Sequence, residues 1–402
     1  MDPVRNPYAP GAGTRPPELA GRQEILDAAD IAIQRVQAGR FAKSFIFIGL
    51  RGVGKTVLLN EVTRTADRLG CKSLYVEATD RKPLPVLLVP QLRQLLLSLD
   101  TMAKATDATK RGLRILKSFM NSVKVSFGGV DIGISIAPEK GVADSGDLQA
   151  DLTALFVAVG EAAKSRKTTV VIAIDELQYL TEEELSALIM AVHRACSQLE
   201  LPIILAGAGL PQLVGQMGTS RSYAERLFNY PPVGALSPAD ARAAIKEPAA
   251  REGVKYTSKA LDEIVRVSEG YPYFLQEWGY HAWDIAKGPD IKEADALAAH
   301  TGTIASLDKN FFKVRLDRLT PTEKNYLRTM AELGPGPHRS GDIAEELGVL
   351  VSSVAPLRSG LIKKGMIYSQ AHGDTSFTVP LFDQYMKRAI PEMPKKKKKR
   401  AK

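Results

Sequence analysis

The chain is 402 residues long, 45% hydrophobic and 25% charged, which suits two or three globular domains and excludes a low-complexity chain. Its two cysteines, Cys71 and Cys196, form no metal-binding spacing and no disulfide framework. No signal segment opens the chain, and no apolar run reaches bilayer length, so a cytoplasmic protein without a membrane partner is expected. The net charge is +9, but the tail PKKKKKRAK carries seven positive charges, so the rest of the chain is near balance.

Taken in chain order, residues 1–18 hold five prolines and two glycines and read as an extended arm. LAGRQEILDAADIAIQRVQAG follows with helical periodicity. SFIFIGL, from Ser44, is a short apolar run before a Gly-rich turn, and so a buried strand. Lys55 to Leu69 reads as a helix, SLYVEA as a second strand and Val86 to Met102 as an apolar helix. Residues 104–145 look like an insertion: a basic helix, then KVSFGGVDIGISIAP, whose alternation around Gly-Gly signals a β-hairpin. DSGDLQADLTALFVAVGEAAKS is a capped helix, TTVVIAIDELQYL a third strand and PIILAGAGLPQL a fourth. Strands alternating with helices predict an α/β core with a parallel sheet over 19–235.

After about residue 236 the strands stop. Three helical segments predict an all-α lid over 236–317. Three short helices and a hairpin over 318–390 follow the order of a C-terminal winged helix, and 391–402 is a basic tail.

Gly49-Leu-Arg-Gly-Val-Gly54-Lys55-Thr56 lies between a buried strand and a helix. Glycines at that spacing let backbone N–H groups turn toward phosphate, and the helix N-terminus adds its dipole. The cradle is expected to involve Gly49, Arg51, Gly52, Val53, Gly54, Lys55, Thr56 and Val57. Lys55 would reach the β- and γ-phosphates of ATP, and Thr56 would ligate Mg²⁺. Asp175 ends an apolar strand, where it would help hold Mg²⁺; Glu176 would polarise the attacking water. An acidic pair capping the next helix is the plainer reading of those two alone.

With these motifs in place, the chain resembles the AAA+/STAND-type P-loop ATPases, in the group similar to origin-recognition-complex ATPases. LAGRQE resembles their N-terminal box, which implies that Gly21 and Arg22 border the adenine. VIAIDELQ resembles the Walker B strand, and ILAGAGLP occupies the sensor-1 strand. SYAERLF resembles the segment with an arginine supplied to a neighbouring subunit, which implies that role for Arg226, with Arg221 second. A helix-surface arginine paired locally is the alternative. GYPYFLQ resembles the Gly-x-Pro motif of the lid, placing Tyr271 and Pro272 near the nucleotide. Two departures imply slow hydrolysis and a switch: Ala206-Gly207-Ala208 lacks a polar sensor, and Tyr271-Pro272 stands where an arginine is often found.

The winged helix leaves two outputs open. Ser352, Ser353 and Arg358 would face outward from a recognition helix, with Lys363 and Lys364 at its end and His372-Gly373-Asp374 as the wing tip, so DNA is a candidate partner. Asp342, Glu345 and Glu346 on the preceding helix oppose that reading. A protein partner, or regulation of the ATPase core by the winged helix, is the alternative. Arg226 would place the chain in a homo-oligomer.

Overall fold

The structure, a computed structural model, describes residues 1–100, 107–123, 137–369 and 373–393. Nearly all of the hairpin expected over KVSFGGVDIGISIAP, His372 of the wing tip and the basic run from residue 394 onward lie outside these. The chain divides into two compact units. A sheet unit holds Glu24–Gly49 and Lys55–Pro232; a helical unit holds Met1–Gln23, Leu50–Gly54 and Val233–Lys402.

In the sheet unit, α1 (Gln23–Gln37) leads to β1 (Ser44–Ile48), α2 (Lys55–Arg68), β2 (Lys72–Glu77), α3 (Leu84–Asp100) and α4 (Asp107–Ser122). Then come α5 (Leu148–Ser165), β3 (Val170–Asp175), α6 (Glu182–Val192), β4 (Ile203–Gly209), α7 (Leu213–Ser220), α8 (Ala224–Leu227) and the short β5 (Phe228–Asn229). The strands form one parallel sheet in the order β2-β3-β4-β1-β5. Such strands are buried on both faces, which is why β3 is a continuous apolar run: every residue of Val170–Asp175 is buried, the acid included. Each large aliphatic side chain sealed there contributes about 1.5–3 kcal/mol.

Helix starts follow their caps. Asp147 accepts from the amides of Gln149 and Ala150 at the start of α5, and Thr181 with Glu184 forms a reciprocal capping box on α6. Pro90 lies inside α3 without ending it, and the helix runs two residues earlier than the sequence periodicity suggests. The basic helix α4 packs against α3 and α5 through Leu113, Leu116 and Phe119. Its two arginines are paired with acids: Arg111 with Glu139 and Glu161, and Arg114 with Glu139.

In the helical unit, α9 (Pro238–Arg251), α10 (Ser258–Ser268), α11 (Pro272–Ile285) and α12 (Glu293–Ser306) pack around the fully buried Phe274, Trp278 and Trp283. Two short parallel strands, β6 (Lys255–Tyr256) and β7 (Asp290–Ile291), tie the loops together. The one-turn α13 (Lys313–Leu316) leads to α14 (Pro321–Glu332), β8 (His338–Arg339), α15 (Ser340–Leu347), α16 (Val351–Lys363), β9 (Ile367–Tyr368), β10 (Asp374–Phe377) and α17 (Phe382–Ala389). The three strands make an antiparallel sheet in the order β8-β10-β9.

The N-terminal arm is not loose. Tyr8 is buried, its hydroxyl donates to the Ile245 carbonyl at 2.6 Å, and its ring fills the space that a side chain at Gly279 would need. Trp283 Nε1 donates to the Asp2 carbonyl at 3.0 Å. Among the described residues no helix is long and apolar enough to cross a membrane.

Candidate functional site

In the sheet unit the site grows from the ends of β1 and β3. β4 lies between them, so Asp175 sits one strand away from the loop that follows β1. The Gly49 amide donates to the Gly209 carbonyl at 3.1 Å, extending the β1–β4 ladder to the mouth of the loop. α2 then begins at Lys55, whose Nζ donates to the Gly49 carbonyl at 2.9 Å. The first amides of such a helix have no partner within it and point at whatever anion the loop encloses.

Thr56 Oγ1 donates to Asp175 Oδ2 at 2.5 Å, and the hydroxyl of Tyr75 donates to the same oxygen at 3.2 Å. The other oxygen of Asp175 accepts the Glu176 amide at 2.8 Å. Burial, with the charge of Glu176 in support, holds the Asp175 carboxyl above its usual range, against the Thr56 hydrogen bond. Burial also raises Glu77, with Asp175 and Glu176 adding to it. A buried carboxylate under such pressure gains from a nearby cation, and one hydroxyl plus one carboxylate is the donor set Mg²⁺ takes alongside phosphate and water. Among the described residues no group of three or more His, Cys, Asp or Glu side chains is placed to hold a metal unaided.

Glu176 occupies the left-handed region at φ 55°, a costly conformation for a non-glycine residue that turns its side chain away from the strand direction. The Gln178 side-chain amide donates to Glu176, while its carbonyl oxygen accepts the Leu210 amide at 3.0 Å. Gln178 therefore links Glu176 to the end of β4, a connection the sequence reading missed, as it missed Tyr75. The available signals were local: Gln178 follows Glu176 by two residues, and Tyr75 shares a strand face with Glu77. The absence of a polar residue at Gly207 also has a packing cause. A Cβ there would lie 2.5 Å from Leu177 Cδ1 and 3.1 Å from Ile46.

The helical unit contains the loop tip. Gly52 and Gly54 have φ of 82° and 95°. A Cβ on Gly52 would lie 2.9 Å from the ring of Tyr271, and its carbonyl accepts the Tyr273 amide at 3.3 Å. Tyr271 is buried and precedes Pro272, the first residue of α11. Arg22 donates to the carbonyls of Val53 (3.3 Å) and Gly234, and Gly21 (φ 65°) passes Asp240 too closely for a side chain. Burial lowers the Arg22 guanidinium and Asp240 partly restores it. The Val57 side chain, in the sheet unit, is buried in the core, so its amide alone is left to face a ligand.

The two arginines of the SYAERLF neighbourhood differ. Arg226 lies in α8 and is exposed. Arg221 is turned inward, with Nε to Ser186 Oγ at 2.9 Å and Nη2 to Gln149 Oε1 at 2.6 Å, and so is not presented to a neighbour.

The C-terminal domain departs from the expected display. Ser352 and Ser353 are exposed on α16, and Lys363 is exposed at its end. Arg358 is not turned outward. It donates to Thr375 Oγ1 (2.9 Å), Ser369 Oγ (2.8 Å) and the Asp374 carbonyl (3.1 Å), because the hairpin offers three acceptors where the helix passes it. Lys364 pairs with Glu323 at 2.7 Å. The start of the helix also exposes two apolar side chains, Leu350 at 72% and Val351 at 53%.

The sheet order and the strand–loop–helix around Gly49–Thr56 define a P-loop nucleotide-binding fold. Residues 18–205 match the family described as AAA ATPase domain. Residues 309–386 match a family described as Domain of unknown function (DUF8462). Among solved structures the chain is similar to the Walker-type ATPase PABY2304 of Pyrococcus abyssi, at 16% identity over 93% of this chain and 97% of that one, with a TM-score of 0.59. It is also similar to the Orc1 protein of Aeropyrum pernix, solved in complex with DNA, at 16% identity over 93% and 94% and a TM-score of 0.46. The RuvB Holliday junction branch migration motor of Thermotoga maritima matches at 16% identity over 95% and 100%, with a TM-score of 0.46. No curated protein matches the chain. Likeness at these identities speaks to fold alone.

Proposed function

We propose that the chain is a Mg²⁺-dependent ATPase that hydrolyses slowly and works as a molecular switch. The observation that carries this is the Thr56–Asp175 pair at 2.5 Å beside the Lys55 end of the phosphate loop, within a stretch matched as an AAA ATPase domain. Lys55 would bind the outer phosphates, Gly49 and the amides of 52–57 would enclose the inner ones, and Arg22 with Gly21 would brace the loop on the adenine side. Thr56 and Asp175 would hold Mg²⁺, which supplies charge neutralisation at the phosphates. Glu176 would accept a proton from the attacking water, steadied by Gln178. Exposed Arg226 would serve a neighbouring copy in a cytoplasmic homo-oligomer. The close packing at Gly207 supports slow turnover, since it leaves no polar group there.

The C-terminal domain, read as a winged helix, would carry the output. DNA binding is supported by Ser352, Ser353, Lys363 and the basic tail. A protein partner is the second reading, favoured by the inward Arg358 and the exposed Leu350 and Val351. Duplex binding by fluorescence anisotropy with ATP, ADP or no nucleotide, on the full chain and on one ending at Met393, tests both. Nucleotide-dependent affinity that survives the truncation supports the DNA output. Affinity that vanishes with the tail and ignores nucleotide rejects it. ATP turnover is measured in parallel, and its absence at any enzyme concentration would sink the ATPase reading.

A further inference from the structure

We infer that Tyr75 is a positioning residue for the magnesium site: its hydroxyl, reaching over from the neighbouring strand, sets the orientation of the Asp175 carboxylate. The inference rests on the Mg²⁺–ATP reading and adds to it a residue outside both motifs. All the residues concerned lie in the sheet unit.

Tyr75 stands on β2, the edge strand beside β3. Leu74 and Val76 of that strand are buried in the core, so strand alternation puts Tyr75 and Glu77 on the opposite face. The two strands run parallel, with Tyr75 level with Ala173 and Glu77 level with Asp175. Tyr75 therefore starts two residues short of Asp175, about 6–7 Å along the strand. A phenol covers that offset and a shorter hydroxyl side chain does not. Its oxygen donates to Asp175 Oδ2 at 3.2 Å.

The other donors to this carboxylate are tied to the site itself. Oδ1 takes the amide of the adjoining Glu176 at 2.8 Å, and Oδ2 takes the Thr56 hydroxyl at 2.5 Å. Thr56 is a proposed metal ligand, so its hydroxyl answers to the metal as well as to Asp175. Tyr75 comes from a strand with no other part in the site, and its hold on Oδ2 does not depend on what the phosphate loop contains.

The neighbourhood shows why such a hold is useful. Glu77 feels the charges of both Asp175 and Glu176, so three acids crowd the tips of β2 and β3. Between like charges an unheld carboxylate turns away from its neighbours, and a neutral donor opposes that without adding charge. Asp175 is buried at 2% exposure, whereas Tyr75 is half-buried. A half-buried hydroxyl can bond water at little cost to folding, so its direction toward Asp175 serves the carboxylate more than the fold. Groups that orient a metal's ligands are typically worth about ten- to a hundredfold in metal affinity.

The test uses Mn²⁺ as the metal probe, titrated by electron paramagnetic resonance into the full chain with saturating ADP. Wild type and Tyr75→Phe are compared, with Thr56→Ala as the site control; Phe keeps the ring and removes only the hydroxyl. Tyr75→Phe is expected to weaken Mn²⁺ about tenfold, while ADP affinity measured in EDTA changes about twofold or less. Raising Mg²⁺ is expected to return its ATP turnover to the wild-type maximum, so the variant shifts the Mg²⁺ requirement and not the limiting rate. Unchanged Mn²⁺ affinity overturns the inference. An equal loss of ADP affinity in EDTA also overturns it, by making Tyr75 a structural residue, as does a turnover defect that saturating Mg²⁺ leaves in place. If wild type binds neither ADP nor Mn²⁺ with it, the Mg²⁺–ATP reading fails and takes this inference with it. If wild type binds both and Tyr75→Phe binds them equally well, this inference alone fails.

Discussion

The end of β3 and the start of α16 were read from the sequence with similar motif logic, and they turned out differently. At the end of β3 the expected side chains converge, with Thr56 on Asp175 and Asp175 on the Glu176 amide. On α16 the arginine expected outside is drawn in: Arg358 bonds to the hairpin, while Lys363 stays exposed and Lys364, just past the helix, pairs with Glu323. The first site is placed by main chain. A strand tip, a Gly-rich turn and a helix start leave Lys55, Thr56 and Asp175 little choice of position. The second depends on which way long side chains turn on a short helix, and there any nearby acceptor decides the matter.

Substitutions can break or sharpen this contrast. The largest effect is expected at Glu176. Glu176→Gln should slow ATP turnover about a hundred- to ten-thousandfold while nucleotide binding persists, checked by single-turnover hydrolysis beside titration. Unaltered turnover would remove Glu176 from the chemistry. Lys55→Ala should weaken ATP about ten- to a hundredfold, checked by isothermal titration, and unchanged affinity would take Lys55 out of the phosphate site.

On α16 the expectation reverses. Arg358→Ala should cost stability, about 2 kcal/mol by urea unfolding, and change DNA affinity no more than unfolding explains. A large affinity loss with unchanged stability would restore Arg358 to an outward role.

The smallest effect is at Asp175. Its folded pKa is raised mainly by burial, so the native state holds its proton to higher pH than the unfolded chain does. Stability from that difference is present at low pH and is lost as pH rises from the unfolded to the folded pKa. Asp175→Asn should therefore stabilise the nucleotide-free chain slightly near neutral pH and converge with wild type in acid. Thermal melts across pH check it, and destabilisation of the neutral-pH apo form would contradict it.

The parallel sheet, with its helices alternating between strands, was legible because apolar runs such as Val170–Ile174 are bounded by turns and are buried on both faces. The Gly49–Thr56 loop was legible because spacing and context coincide. Gln178 and Tyr75 were not legible, since each matters through a partner distant in sequence, which leaves no local pattern. The inward turn of Arg221 has the same origin: Ser186 and Gln149 lie on other helices. Gly207 looked like a missing sensor, whereas the packing of Leu177 and Ile46 around it gives the glycine a steric cause.

The buried Tyr8 bears on how the chain is made. Its hydroxyl is bonded to Ile245, 237 residues later, and its ring fits against Gly279. At about 5–20 residues per second of synthesis, the arm waits roughly 10–50 s for the helices that will shelter it. Until the helices around Gly279 exist, Tyr8 is open to any apolar surface it meets. A segment made early is thus among the last to find its place.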